Sequence, residues 1–302
     1  LWGASMEIRD GNWDIEEGIV IRAYMPLGFY PKQAIGRSDA SFVLDKQLIF
    51  SMVRFKSTQL ENYYIESNWL IPEEVRLLAS IAIAVEDFFG KVYAYPHPVG
   101  FKIKDDGYDL SEKSTQNECK AALFNRLKNE SNKYWLTVDP PPALGGPDYQ
   151  INKNAADMKR QQDIFEAIDL NNQLLISGLG AFLQCDLLSV HHIFHHNACI
   201  SLHIAIEAAL QIILLRLGKT KQHPSTVDAA KYLDRMLKSG TTHKQCFEAY
   251  YQDRMAAVHP AGRLATYPHT LLSSDNFYEL YEALRAAYDF LITGNIRQPY
   301  TG

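Results

Sequence analysis

The sequence predicts an α+β fold, in which a mixed α/β N-terminal domain is followed by an all-α helical bundle. Three observations carry this prediction. Runs of β-branched and aromatic residues, bounded by turn residues, occur before residue 138. A stretch rich in proline and glycine, VDPPPALGGPDYQ, follows at 138–150. Beyond it, apolar residues recur at helical spacing and no convincing strand is found.

The proline- and glycine-rich stretch sets the predicted domain boundary, because neither a helix nor a central strand tolerates this composition. We expect a mixed α/β domain over 6–137, a linker over 138–152 and a helical domain over 153–302. A chain of 302 residues is long enough for two domains of ordinary size.

The N-terminal domain is predicted to contain five strands and two helices. The first helix begins at Pro72, a residue favoured in a first turn, and Glu73 and Glu74 suit the positive end of its dipole. It continues to residue 89, before Gly90, and the second helix covers 113–130. The predicted strands are 17–25, 47–55, 91–96, 99–104 and 133–138.

The second domain is predicted to be helical throughout. The last helix is the most clearly patterned, since its apolar residues follow the i, i+3, i+4, i+7 rule and Gly294 provides a C-terminal stop. Its apolar face comprises Phe277, Leu280, Tyr281, Leu284, Tyr288 and Leu291. The predicted helices are 153–170, 172–190, 194–217, 225–238, 243–259 and 275–293.

Composition narrows the class of protein. With 47% hydrophobic and 22% charged residues the chain is typical of a globular protein, and its net charge of −5 argues against indiscriminate binding of polyanions. No export signal follows Met6, and the four cysteines form no CxxC motif, so we expect reduced thiols and a cytoplasmic location. The apolar run at 200–218 contains His203, Glu207 and Gln211, which favours a buried helix over a membrane span.

The stretch RMAAVHP at 254–260 is the main candidate for a functional site. Arg254 and His259 are five positions apart, so a regular helix would hold them well apart around its axis. However, a residue before proline is disfavoured in the helical conformation, so Pro260 releases His259 to fold back towards Arg254. Arginine binds phosphate and histidine exchanges protons near neutral pH, which suits metal-independent cleavage of RNA at its own 2′-hydroxyl. The same two residue types are also favoured near any helix C-terminus by the dipole.

The order of helices around this pair resembles the HEPN family of helical RNases and nucleic-acid-associated domains, over about 190–293. The match includes the long apolar helix, a shorter helix, the helix ending in YYQDRMAAVHP, and the closing amphipathic helix. The resemblance implies a homodimer whose Arg254–His259 pairs face one cleft and cleave RNA without metal. It also implies roles in toxin–antitoxin or phage-defence systems, with an antitoxin or another protein as partner.

The chain departs from the family in one respect. Many nuclease members carry Asn, Asp or His directly after the arginine, where this chain has Met255. Some members bind a nucleotide or RNA, or dimerise, without cutting, and this non-catalytic role is the alternative interpretation. An acidic residue on an earlier helix often accompanies the pair, and Glu207 is the candidate here. Because an unpaired buried carboxylate is costly, Glu207 either faces solvent or has a partner such as Arg254.

A histidine-rich stretch, HHIFHHNACISLH at 191–203, is a second candidate. His195, Cys199 and His203 recur every four residues, a spacing that lets helical side chains share a metal. The stretch lacks the glutamate of HExxH and no second ligand cluster accompanies it, so we interpret it as a polar helix face or a dimer-interface stripe. We expect no metal and no cofactor, since phosphate-loop motifs are also missing from the sequence.

Overall fold

The structure, a computed structural model, describes residues 17–44, 48–56, 70–86, 92–130, 152–189, 192–218, 223–237, 246–249 and 274–296. Two compact units divide the chain. One comprises Leu1–Leu78 and Val92–Ala156, and the other comprises Ala79–Lys91 and Asp157–Gly302. The first contains the sheet and the second is helical, so the predicted α+β fold is confirmed. The predicted linker stays a prediction, because 138–151 lie outside the described residues.

The first unit is built around one six-stranded sheet. Its central path runs β2-β3-β4-β1-β5 with antiparallel neighbours, and the short β6 pairs in parallel with the end of β1. The strands are β1 (Glu17–Pro31), β2 (Ile35–Gly36), β3 (Ala40–Leu44), β4 (Ile49–Lys56), β5 (Tyr93–Lys104) and β6 (Asn152–Asn154).

Strand β1 organises this sheet because it pairs with β4, β5 and β6. Alternate residues Ile19, Ile21 and Ala23 enter one core cluster, as the two-residue period of a strand requires. Cross-strand partners continue that cluster, since Ile21 lies opposite Met52 on β4. The alternation seen in the sequence therefore sets the register of the sheet.

The predicted ends of the strands agree only in part with the observed ones. Strand β1 extends to residue 31 instead of 25, and the two strands predicted at 91–96 and 99–104 form the single strand β5. Pairing of β5 with β1 shifts register between Arg22 and Tyr24, a bulge that accommodates the proline-containing stretch. The strand predicted at 133–138 lies outside the described residues.

Three of the observed strands were not predicted from the sequence. Strands β2 and β3 flank a polar turn and are too short to show alternation, and β6 is only Asn-Lys-Asn. Strand β6 is held by backbone pairing, with Phe29 opposite Asn152, and by Lys32 donating its N–H to the Asn154 carbonyl at 2.9 Å. Backbone hydrogen bonding leaves no mark in side-chain composition.

The helices follow the prediction closely except at two places. The helices whose two ends both lie in the described ranges are α1 (Pro72–Ile83), α2 (Lys113–Glu130), α3 (Met158–Ala167), α4 (Gln173–Ser189), α5 (His195–Leu217), α6 (Thr226–Leu237) and α7 (Ser274–Thr293). Helix α1 ends at Ile83, short of the predicted 89. Helix α3 covers less than the predicted 153–170, because 152–154 pair as β6 and Asp157 caps the helix by accepting the Arg160 N–H at 3.0 Å.

Helix α7 is the core helix of the second unit. The predicted apolar face is confirmed as buried, and the remaining sides between residues 280 and 291 are buried as well. Tyr288 donates a hydrogen bond to the Ala205 carbonyl of α5 at 2.7 Å. A Cβ atom on Gly178 of α4 would lie 2.3 Å from the Tyr288 hydroxyl oxygen, so only glycine fits there. Gly294, with φ of 73°, ends the helix as predicted.

Helix α5 is, among the described helices, the one long and apolar enough to cross a membrane. In its most apolar window 67% of the residues are buried inside the protein. Core helices and membrane spans share this composition, so composition does not distinguish them.

A buried ion pair connects β1 to the first turn of α1. Arg22 donates to both carboxylate oxygens of Glu74, at 3.0 Å from Nη2, and the Glu74 carboxylate also accepts the Ile71 N–H at 3.0 Å. The Glu74 side chain is 0% exposed and that of Arg22 12% exposed. Burial alone would lower the pKa of Arg22, but the Glu74 carboxylate outweighs burial and raises it.

We expect Arg22→Met to lower the free energy of unfolding by about 3–5 kcal/mol, because it leaves the Glu74 carboxylate buried without its guanidinium. Urea denaturation measures the change. The double variant Arg22→Met/Glu74→Met should lose less stability than the single variant, because it leaves no unpaired charge in the core. Lys56→Met is the matched control, since its pair with Glu17 is exposed. An Arg22→Met protein within 1 kcal/mol of wild type would contradict the assignment.

Cys119 of α2 offers a pH test of the sheet core. It is buried in the cluster against β1, and burial, followed by Glu118, raises the pKa of its thiol to about 12. The folded state therefore favours the neutral thiol. Its contribution to stability is complete below the unfolded pKa of about 8.5 and is lost as pH rises towards the folded value.

Between pH 9 and 11 the stability difference between wild type and Cys119→Ala should shrink by roughly 1.4 kcal/mol per pH unit. Urea denaturation at each pH provides the measurement. Leu123→Ala removes a nonionisable neighbour in the same cluster, so its difference from wild type should stay constant with pH. If the stability difference between wild type and Cys119→Ala also stays constant with pH, then Cys119 does not titrate in this range.

Candidate functional site

The predicted site residues divide between described and undescribed parts of the chain. Arg254 and His259 lie outside the described residues, so their arrangement stays a prediction. Of the helix predicted at 243–259, residues 246–249 are described and are helical. Glu207 is described on α5.

Residues 246–249 are anchored by α6, which precedes them in the chain. The Asp234 carboxylate accepts the N–H groups of Phe247 at 2.9 Å and Glu248 at 3.2 Å, one on each oxygen. First-turn N–H groups have no partner within their own helix, and a carboxylate also complements the positive end of the dipole. Phe247 is fully buried, and Lys231 pairs with Glu248 at 3.4 Å. The helical residues 246–249 are therefore held against α6 by a carboxylate, by an ion pair and by the buried ring of Phe247.

Asp234 was not predicted from the sequence. It lies twelve residues before Cys246, and nothing in the local pattern of α6 marks it as a cap for a later helix. The signal that could have identified it is an aspartate on a helix face that is otherwise apolar: Ala230, Leu233 and Leu237 are buried around it. Burial of Cys246, with Asp234 as a further cause, raises the pKa of that thiol to about 12, so it stays a thiol at neutral pH.

Glu207 has a polar neighbour on its own helix. Gln211, one turn later, donates its side-chain N–H to Glu207 Oε1 at 3.0 Å. Glu207 is half-buried, so it is neither fully exposed to solvent nor enclosed in the core. An amide donor is uncharged, so this hydrogen bond does not neutralise the carboxylate. Whether it meets Arg254 stays a prediction.

Residues 195–203 of the histidine-rich stretch form the start of α5, and residues His192–Phe194 form a 3-10 turn before it. His195 packs its ring 5.2 Å from that of Phe277 on α7, and its Nε2 lies 3.7 Å from Cys199 Sγ, one turn later. His203 is buried. Across the described ranges no three His, Cys, Asp or Glu side chains are grouped to hold a metal ion. The expectation of a metal-free protein stays a prediction, but the observed contacts of His195 are those of helix packing.

A set of buried ionisable residues in the helical unit was not predicted from the sequence. On α7, Tyr281 donates a hydrogen bond to Asp186 of α4. Phe182 stacks on the same tyrosine with ring centroids 4.7 Å apart. Burial, followed by the Asp186 charge, raises the pKa of Tyr281 well above its ordinary value, so the phenol stays protonated and can donate.

Two ion pairs complete this set. Arg285 donates to Glu282 on the same helix, and Arg160 of α3 pairs with Asp289. Burial is the first cause that lowers the pKa of Arg160, and the Arg285 charge also lowers it. Asp186, Glu282, Arg285 and Asp289 are all buried. Because these groups engage each other inside the bundle and not at its surface, we interpret the set as structural and not as a site that receives a substrate.

We expect Asp234→Ala to lower the free energy of unfolding by about 1–3 kcal/mol, because two N–H groups near Phe247 lose their acceptor. Hydrogen exchange should show the amides of Phe247 and Glu248 losing protection specifically. Glu248→Ala, which removes only the partly exposed pair with Lys231, is the control and should change stability by less than about 1 kcal/mol. Unchanged exchange at Phe247 in Asp234→Ala would refute the anchoring role.

Comparison with known proteins does not place the chain in a family. No family model, no curated protein and no solved structure matches it.

Proposed function

We propose that the chain is a metal-independent endoribonuclease that acts as a HEPN-like homodimer in the cytoplasm. One observation carries the proposal: the sequence Arg254-x4-His259-Pro260 ends a predicted helix. Supporting it, residues 246–249 of that predicted helix are helical and are held by Asp234. A role in toxin–antitoxin or phage-defence systems, with an antitoxin or another protein as partner, belongs to the same proposal.

The proposed reaction uses the nucleophile that RNA itself contains. The 2′-hydroxyl oxygen attacks the adjacent phosphorus, the bond to the 5′-oxygen breaks, and a 2′,3′-cyclic phosphate and a 5′-hydroxyl form. The proton lost by the 2′-hydroxyl and the proton gained by the leaving oxygen balance, and His259 takes part in their transfer. Arg254 binds the phosphate oxygens on which negative charge develops. Glu207 is a further candidate, through a charge interaction with the arginine.

A second candidate function is binding of RNA or a nucleotide without cleavage. Met255, which follows the arginine, and the net charge of −5 favour it. In that case Arg254 binds the phosphate and His259 has no catalytic role. The two functions separate experimentally, because only the first forms a cyclic phosphate product.

We expect purified protein to cleave a mixed-sequence RNA in the presence of EDTA and to leave 2′,3′-cyclic phosphate ends. A substrate with 2′-deoxyribose at the scissile position should survive. His259→Ala should lower the cleavage rate by about 10²–10⁴-fold, the usual contribution of a positioned acid or base. Arg254→Ala should lower it by about 10²–10³-fold through lost charge stabilisation. Gel analysis of end-labelled RNA measures both.

Arg263→Ala and His269→Ala are matched controls, because they remove the same residue types nearby in the sequence but outside the pattern. Both should retain wild-type cleavage. RNA binding without cleavage, weakened by Arg254→Ala, would support the second function instead. A cleaving protein whose rate is unchanged in the Arg254→Ala/His259→Ala double variant would assign the chemistry to other residues.

A further inference from the structure

The turn between β2 and β3 gathers arginines from three elements of the first unit. Arg37 belongs to the turn itself. Arg54 of β4 donates to the Ser38 carbonyl at 3.3 Å, and Arg76 of α1 pairs with the Asp39 carboxylate at 3.3 Å. Because the three guanidinium groups come from a turn, a strand and a helix, the fold assembles them and no local sequence pattern predicts them.

One of these arginines, Arg54, is committed to the fold. Its guanidinium pairs with the Asp105 carboxylate and donates to the carbonyl groups of Ser38 and Tyr108, the latter at 2.6 Å. All three of its nitrogen atoms therefore donate within the protein, and Arg54 fastens the turn to the loop that follows β5.

The other two, Arg37 and Arg76, share the carboxylate of Asp39. Arg37 Nε lies 3.7 Å from Oδ1, and Arg76 Nη2 lies 3.3 Å from Oδ2. Hydrogen bonds between a guanidinium and a carboxylate are usually about 2.7–2.9 Å long, so Asp39 holds both groups at longer range. The side chains of Arg37, Arg76 and Asp39 are 21%, 18% and 37% exposed, so all three reach solvent.

The charge of Arg76 is compensated incompletely by its surroundings. Burial lowers the pKa of Arg76 despite the opposing charges of Asp39 and Glu73, and the Arg37 charge lowers it further. Arg22 provides the contrast, because the carboxylate paired with it outweighs burial and raises its pKa. An additional negative charge is therefore stabilised at Arg76 more than at Arg22.

We propose that Arg37 and Arg76 form a binding site for the terminal phosphate group of a small phosphate monoester. Such a group carries about two negative charges at neutral pH and three free oxygen atoms, so it accepts from both guanidinium forks. Asp39 offers the same arginines one charge and competes with the ligand. A phosphodiester has a single charge and fits the pair less well. The inference goes beyond the proposed function, since it gives the sheet-containing unit a binding role.

The source of the phosphate group follows from the surroundings of the turn. Among the described residues of the first unit, Phe124 on α2 is the one large apolar side chain that is exposed, and the turn itself exposes none. A site that binds lipid headgroups is expected to insert apolar side chains into the membrane as well. The site is therefore assigned to a soluble compound.

Isothermal titration calorimetry with methyl phosphate tests the site at pH 8, where this probe is a dianion. The wild-type protein should bind one methyl phosphate per chain. Dimethyl phosphate at equal ionic strength should bind at least about tenfold more weakly, because it lacks the second charge. No binding of methyl phosphate at millimolar concentration, or equal binding of the diester, would overturn the proposal.

Three variants assign the binding to the arginine pair. Arg37→Gln and Arg76→Gln should each weaken binding by about 10–100-fold, the contribution of a hydrogen bond to a charged group. Asp39→Asn keeps an acceptor for both arginines but removes the competing charge, so it should tighten binding by about fivefold. Lys104→Gln is the control, because this exposed lysine pairs with Asp106 at 3.5 Å, and it should bind as the wild type does.

Asp39→Asn keeps the test decisive where an arginine variant is unstable, since arginines that serve only to hold the turn predict no tightening. Unchanged or weaker binding in Asp39→Asn, or equal losses in Arg37→Gln and Lys104→Gln, would overturn the site. Vesicles of phosphatidic acid and phosphatidylcholine separate the two sources of phosphate. Co-sedimentation of the wild type that is lost in Arg37→Gln would overturn the assignment to a soluble ligand. RNA cleavage is not a readout here, so failure of the nuclease proposal leaves these outcomes unaffected.

Discussion

The helical unit depends on the burial of α7 on all its sides between residues 280 and 291. A helix surrounded by protein cannot expose charged side chains to water, so each charge that it carries must find a partner within the bundle. Asp186 accepts from Tyr281, Glu282 accepts from Arg285, and Asp289 pairs with Arg160. These partners come from α3, α4 and α7 itself, and they fix how the three helices meet. Apolar packing alone would tolerate several rotations of α7, whereas the matched charges favour one.

The elements predicted correctly from the sequence are those in which apolar residues recur at regular spacing. Helices α4 to α7 begin and end within one residue of the predicted limits, and the apolar face of α7 is buried as predicted. Strand alternation placed β1, β4 and most of β5. Such elements are readable because their side-chain pattern alone distinguishes the buried face from the exposed one.

The remainder depends on contacts between distant residues. The polar side of α7 at Glu282, Arg285 and Asp289 is buried because other elements cover it, and the sequence of one helix does not report what covers it. Asp234 caps a turn thirteen residues away, and β6 is held by backbone alone. The residue pattern alone pointed to Arg254, His259 and Glu207 as the candidate site. The structure adds the contact of Asp234 with the helical residues 246–249, which no local pattern predicts.

The pairing of β1 imposes an order on biosynthesis. Strand β4 is complete within about forty residues of the start of β1, whereas β6 begins more than one hundred residues after the end of β1. The ribosome adds roughly 5–20 residues per second, so β1 and β4 emerge several seconds before the residues of β6 can pair with β1. During that interval the edge left for β6 is open to any other strand. A nascent chain that stalls before residue 152 therefore exposes an unpaired strand edge, which is the kind of surface that chaperones bind and that seeds aggregation.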